Sequence, residues 1–191
     1  MDYKILFGAI AVIIAFSGYI PYFRDLFSGK AKPHAFSWFF WSLLSIITFA
    51  AQVTRGAGPG AWISAFWFVS SFVIFIFALR KGERNFVLLD WVSFFGALLS
   101  LLFWYLTNSP LLTVITITLV DCIAFIPTIR KSYAAPHGEN ATLYLCSSIS
   151  YVFSLFAMKQ YSFITTFNPA LLVPINFLFV CFLFWRRKVL G

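Results

Sequence analysis

Charge is what this chain has least of. Only 10% of its 191 residues are Asp, Glu, Lys or Arg, and just six of these are acidic. So little charge cannot cover a solvated surface, which excludes an ordinary soluble domain. Histidine is nearly absent too. His34 and His137 each follow a proline, and no cysteine or acidic cluster stands at metal-ligand spacing, so no metal site is expected. The three cysteines, Cys122, Cys146 and Cys181, are odd in number and lie in apolar runs, which implies packing rather than a disulfide framework. The sequence also lacks a Gly-rich phosphate loop, a nucleophile elbow and a zincin string. Without a recognisable pairing of nucleophile and base, an enzyme is not expected, and no cofactor is implied.

Apolar residues fill the space. They make up 61% of the chain, with 26 Phe and seven Trp, and the mean hydropathy is +0.89. The runs divide into seven spans, at residues 4–23, 36–54, 61–80, 86–106, 110–129, 141–158 and 163–185. Each is close to the roughly 20 residues that a helix needs to cross about 30 Å of hydrocarbon. Only residues 24–35 and 130–140 are polar over any length, so the chain 1–191 reads as a single membrane domain with no room for a nucleic-acid-binding module. The first run lacks the basic start and small-residue cleavage site of a signal peptide.

In a soluble protein a net charge of +8 would suggest nucleic acid; here its distribution reports topology. With the N-terminus outside, the inner loops and tail carry Arg24, Lys30, Lys32, Arg80, Lys81, Arg84, Arg130, Lys131, Arg186, Arg187 and Lys188, which is 11 of the 14 basic residues. Lys4, Arg55 and Lys159 fall outside. The bias predicts an outside N-terminus and a cytoplasmic C-terminus, in a plasma membrane or a bacterial inner membrane.

The chain also repeats itself. Ile20-Pro21-Tyr22-Phe23-Arg24 and Ile126-Pro127-Thr128-Ile129-Arg130 lie 106 residues apart, each opening a basic loop that contains Pro-His. At the same offset Ile20, Pro21, Arg24, Ala35, Ser42, Ala51 and Arg80 match Ile126, Pro127, Arg130, Ala141, Ser148, Ala157 and Arg186 without a gap. Pro21 and Pro127 are expected to end spans one and five, and Arg80 and Arg186 to end spans three and seven. Span four then stands alone. The expected fold is an all-α integral membrane protein of seven transmembrane helices: a three-helix repeat (1–81), linker helix 4 (82–109) and a second parallel repeat (110–188). Two three-span units of one orientation need such an extra crossing between them, and repeats of this kind often place a solute site between two halves.

These residues resemble the SWEET and PQ-loop superfamily of small membrane transporters. Pro21 and Pro127 sit where that family has its proline hinges, although Tyr22 and Thr128 replace the Gln that follows them. Lys32-Pro33-His34-Ala35-Phe36-Ser37 is similar to the family's basic loop before span two, and Phe167-Asn168-Pro169 to its Pro-Asn pair in span seven with the order changed. The tryptophans with which plant SWEETs stack on sugar would fall near Ala51 and Ala157, which supply no such face. The resemblance implies transport more strongly than it implies sugar, with Trp62 or Trp67 as a replacement platform.

Depth in the spans selects the same region. Asn176 lies about 15 Å of helix from the inner end of span seven, and its repeat mate is Ser70; a buried amide requires a partner. Asn176, Ser70, Trp67, Asn168 and Trp62 are therefore the candidate solute-binding residues, against packing roles for the tryptophans and interhelical bonding for Asn176 and Ser70. Trp38, Trp41, Trp104 and Trp185 read as interfacial girdle residues and Asp90 as an N-terminal helix residue of span four. Asp121 is the only acid deep in a span, an expensive and by default functional placement, and it is the candidate for coupling flux to protons. The expected protein is a facilitative or proton-coupled secondary transporter of a small polar solute such as a sugar or vitamin-like metabolite, with Pro21 and Pro127 as hinges. The alternative is a non-transporting receptor or assembly factor of the KDEL-receptor type. The partners are a small-molecule solute and the lipid bilayer, without nucleic acid; whether copies associate stays open.

Overall fold

The structure is a computed structural model that describes residues 2–29, 33, 35–81, 87–107 and 109–190. Lys30, Lys32, His34 and Arg84 lie outside the described residues, as do the side chains of Phe36, Lys81, Asp90, Trp104, Pro127, Arg130 and Lys131. The order is α1 (Tyr3–Phe27), α2 (Ala35–Thr54), α3 (Trp62–Lys81), α4 (Leu88–Thr107), α5 (Pro110–Ala134), α6 (Ala141–Ala157) and α7 (Phe163–Leu190), with short 3₁₀ turns at Gly58–Ala61 and Pro136–Gly138. No strand occurs among the described residues.

Four stretches, Tyr3–Phe27, Ser37–Thr54, Gly58–Arg80 and Phe163–Leu190, are long and apolar enough to cross a membrane. Their outward faces are apolar as well: Ile13 and Phe16 on α1 and Leu178 on α7 are exposed. In water such a surface would be an aggregation liability; against lipid it is ordinary. The composition and these faces are those of a membrane protein.

Local chemistry explains the helix ends. Asp2 Oδ1 accepts the Lys4 amide at 3.1 Å to open α1. Asn140 Oδ1 does the same for α6, accepting from Thr142 N at 3.0 Å and Leu143 N at 3.3 Å. Arg24 in the last turn of α1, and Arg187 with Lys188 in that of α7, complement the negative end of the helix dipole.

One expectation is corrected. Pro21 does not end the first helix, because α1 continues to Phe27, and α5 likewise runs past position 127 to Ala134. A proline removes one backbone donor, but apolar packing on both sides of it holds the helix together. In α1, Tyr19 and Leu26 are both buried, one on either side of Pro21.

Helix α1 packs mainly on α6, α2 on α3, α6 on α7, and α5 on both α4 and α7, while α2 also touches α4 and α5. The α1–α6 seam is close because of Gly18: a Cβ there would stand 2.6 Å from Cys146 Cβ. Aromatic rings fill much of the interior. Trp38 is 7% exposed and packs with Tyr19, Tyr22 and Trp41, so it belongs to the core rather than to a girdle. Trp185, near the C-terminal end of α7, is 55% exposed.

The two ends of the bundle differ. At the end holding the start of α1, Lys4 Nζ donates to Met158 O at 2.8 Å, and the Lys159 amide donates to Ala57 O at 2.9 Å, joining the α2–α3 and α6–α7 connections. Ala57, Ala61 and Met158 are fully buried there. At the opposite end Arg187 of α7 donates from Nε and Nη2 to Pro136 O, and from Nη2 to Glu139 O at 2.7 Å, pinning the α5–α6 connection.

Candidate functional site

Polar side chains gather where α5 and α7 meet. Asp121, half-buried in the middle of α5, accepts a hydrogen bond on Oδ2 from Asn168 Nδ2 of α7 at 3.2 Å. The same amide reaches Thr118 Oγ1 at 3.4 Å, and Thr118 in turn donates to Val114 O at 2.7 Å, so the hydroxyl's own proton is spent within α5 and its oxygen is left to accept. Asn168 is buried with Thr118 and holds the carboxylate from one side. No cation pairs with Asp121 among the described residues.

An aromatic wall stands beside this group. The Trp67 and Tyr151 rings lie nearly parallel, with centroids 5.8 Å apart and planes at 25°. Tyr151 is within electrostatic reach of Asp121. Trp67 Nε1 is buried and has no hydrogen-bond partner among the described residues.

The other candidates take separate places. Asn176 is buried one helical stretch below Asn168 on α7 and donates from Nδ2 to Leu172 O at 2.8 Å, a bond inside its own helix. Ser70 is buried on α3. Trp62 is 41% exposed at the start of α3, beside Gly8 of α1, and does not join the cluster. The five expected solute-binding residues thus separate: Asn168 bonds Asp121, Trp67 stacks on Tyr151, Asn176 and Ser70 are buried on α7 and α3, and Trp62 is part-exposed beside Gly8.

Several residues escaped the sequence reading. Gln52 of α2, fully buried, donates from Nε2 to Thr165 O at 3.1 Å, while Ser64 Oγ of α3 donates to Gln52 Oε1 at 2.8 Å. Thr165 O is the carbonyl that loses its intrahelical donor because residue 169 is proline. The signal was available: Gln52 is an amide inside an apolar run, as costly when unpaired as Asn176. Tyr151, Tyr144 and Glu139 gave no such signal, since tyrosines in a chain so aromatic look like packing.

A cavity of about 350 Å³ opens at the pinned end, between α1, the α5–α6 connection and α7. Its wall includes Tyr22, Asp25, His137, Glu139, Phe184 and Arg187. Tyr144 Oη donates to Glu139 Oε2 at 3.1 Å at its edge.

Compared with family models, with curated proteins and with solved structures, the chain matches none of them.

Proposed function

We propose that this protein is a secondary transporter that moves a small polar solute across a membrane by alternating access. The observation that carries the reading is the contrast between the two ends. One is sealed by Lys4, Ala57, Met158 and Lys159, the other holds a cavity, and Asp121 with Asn168 lies between them in the α5–α7 pair. A carrier with one gate shut would have such a contrast between its ends.

In this reading all seven helices span the bilayer as two parallel three-helix repeats joined by α4. Three features support it. Ala35 and Ala141, repeat mates, are the first residues of α2 and α6. Ser42 Oγ of α2 donates to Phe68 O of α3 at 3.5 Å, and its mate Ser148 of α6 donates to Val173 O of α7 at 2.9 Å. The contact of α1 with α6 has its counterpart in that of α5 with α2. The positive-inside bias orients the N-terminus outward, so the cavity faces the cytoplasm.

Pro21 and Pro127 act as hinges, Asn176, Ser70, Trp67, Asn168 and Trp62 contribute to the solute path, and Asp121 is the group through which protons act on the cycle. No chemistry is assigned to the protein; it binds and releases its cargo unchanged. A receptor of the KDEL-receptor type is the alternative, distinguished by tight binding without flux. The test is uptake of labelled solutes into proteoliposomes. Saturable flux that Asn176→Leu abolishes, in a variant that still folds and inserts, supports the carrier; binding without flux supports the receptor.

A further inference from the structure

Helices α1, α3, α5 and α7 all end on the cavity side: Asp25 and Arg187 line the cavity, Tyr133 meets Arg186, and Phe27 meets Phe77. Their last turns and the segments that follow, residues 24–35, 80–87, 130–140 and 186–190, hold eleven Lys and Arg against three acids, Asp25, Glu83 and Glu139. Such an excess orients a chain in the membrane. It does not by itself make a binding site, because scattered basic side chains are solvated where they stand.

Arg186 is different. Its Nε donates to Tyr133 O at 2.7 Å, and its guanidinium carbon lies 3.8 Å from the centre of the Tyr133 ring, so one residue of α5 fixes both the edge and the plane of the group. Its two terminal nitrogens have no partner among the described residues. A planar group held in this way is the fork with which arginine takes two oxygens of a phosphate. The next residue, Arg187, is the one in the cavity wall, and a step of about 100° along the helix puts Arg186 on another face. The surroundings there are apolar: Ile129, one turn before Tyr133 on α5, and Trp185 on α7 are both exposed. A fixed cation above an outward apolar surface matches the two halves of a phospholipid, an anionic headgroup and its acyl chains.

The repeat supplies a second instance. At the 106-residue offset Tyr133 and Arg186 correspond to Phe27 and Arg80. Phe27 is exposed at the end of α1, and its ring meets Phe77 edge-on at 5.8 Å, one turn before Arg80 on α3. Arg80 is exposed as well. An aromatic ring and an arginine thus stand at both places where the first and third helices of a repeat end side by side.

From this we infer that the basic end of the bundle binds anionic phospholipids of the surrounding leaflet at two defined stations, one phosphate on Arg186 as Tyr133 holds it and one on Arg80 beside Phe27. The inference rests on the membrane reading of the fold and does not depend on transport. Purified full-length protein in detergent is mixed with phosphatidylglycerol, phosphatidylcholine or glycerol 3-phosphate, and the molecules that stay bound are counted by native mass spectrometry. Two molecules of phosphatidylglycerol should be retained under activation that strips phosphatidylcholine. Arg186→Gln and Arg80→Gln should each leave one, and the double variant none. Arg55→Gln removes the same charge from an exposed position at the sealed end and should keep both. Tyr133→Leu changes no charge, yet it should also leave one, while Tyr133→Phe keeps two; this pair reads the station even if Arg186→Gln fails to fold. Equal retention of the two lipids overturns the assignment. So does indifference to Tyr133→Leu, or a loss in Arg55→Gln equal to that in Arg186→Gln, since either would mean a diffuse basic field. Glycerol 3-phosphate held as firmly as the lipid would make the occupant a soluble anion and overturn it too.

Discussion

The amide of Gln52 occupies the carbonyl of Thr165 at 3.1 Å, on the helical turn where Pro169 withdraws the usual donor. A proline in α7 and a glutamine in α2 are thus two halves of one arrangement, with Ser64 of α3 fixing the other end of the amide at 2.8 Å. The sealed end is held by polar bonds that can be broken and remade, around a backbone group that no helix can satisfy.

Replacing Gln52 by Leu should therefore destabilise the protein by about 1–3 kcal/mol, since it leaves a buried carbonyl and a buried hydroxyl without partners. For a chain of this size that is a fall in Tm of roughly 2–4 °C per kcal/mol. Thermal unfolding of the purified protein checks it; an unchanged Tm would mean that the Thr165 carbonyl finds another donor.

Gly18→Ala should loosen the α1–α6 seam. The added Cβ would meet Cys146 Cβ at 2.6 Å, and with a backbone-anchored atom in the way the helices must part. Overpacking of this kind costs about 1–3 kcal/mol, more than the gain of about 1 kcal/mol from replacing a helical glycine. Cys146→Gly should relieve it in the double variant; melting curves of the four proteins give the coupling directly.

Asn140 serves two tests. Its side chain caps α6, so Asn140→Ala should cost about 1 kcal/mol while Asn140→Asp costs little, read again from melting curves. It also heads the sequon Asn140-Ala141-Thr142, which the proposed orientation puts on the cytoplasmic side. Expression in a glycosylating cell should leave it unmodified, and a glycan there would reverse the topology.

Asp121 is expected to make flux responsive to an imposed pH gradient, because protonation removes an intramembrane charge that no cation among the described residues pairs. Accumulation by the wild type should follow the gradient, and whatever flux remains in Asp121→Asn should ignore it. A wild type indifferent to the gradient would remove protons from the cycle.

The helices were legible because their causes are local. Apolar runs set α1 to α7 within a few residues, and Asp2, Asn140 and the terminal arginines mark ends by chemistry that needs no tertiary partner. Pro21 misled for the same reason: a local rule says that proline stops a helix, and packing of Tyr19 and Leu26 overrides it. Depth picked out Asp121, the resemblance carried by Phe167-Asn168-Pro169 picked out Asn168, and the two are joined. That they touch each other could not be read, since a bond across 47 positions is a property of helix packing. Trp62 and Trp67, five positions apart in one apolar run, look alike in sequence, and only the packing of α3 sends one to the surface and the other against Tyr151. Tyr144 and Tyr151 were hidden by abundance, in a chain where 21% of residues are aromatic.

Alternating access requires the sealed end to open, and one measurement asks this directly. Cysteines at positions 57 and 159, where the Lys159 amide meets Ala57 O at 2.9 Å, can be joined by oxidation once Cys122, Cys146 and Cys181 are replaced by alanine. Solute flux into proteoliposomes is then recorded before oxidation, after it, and after reduction. The carrier account predicts saturable flux that stops on cross-linking and returns on reduction; flux that continues through the cross-linked protein, or no flux in any state, would contradict it.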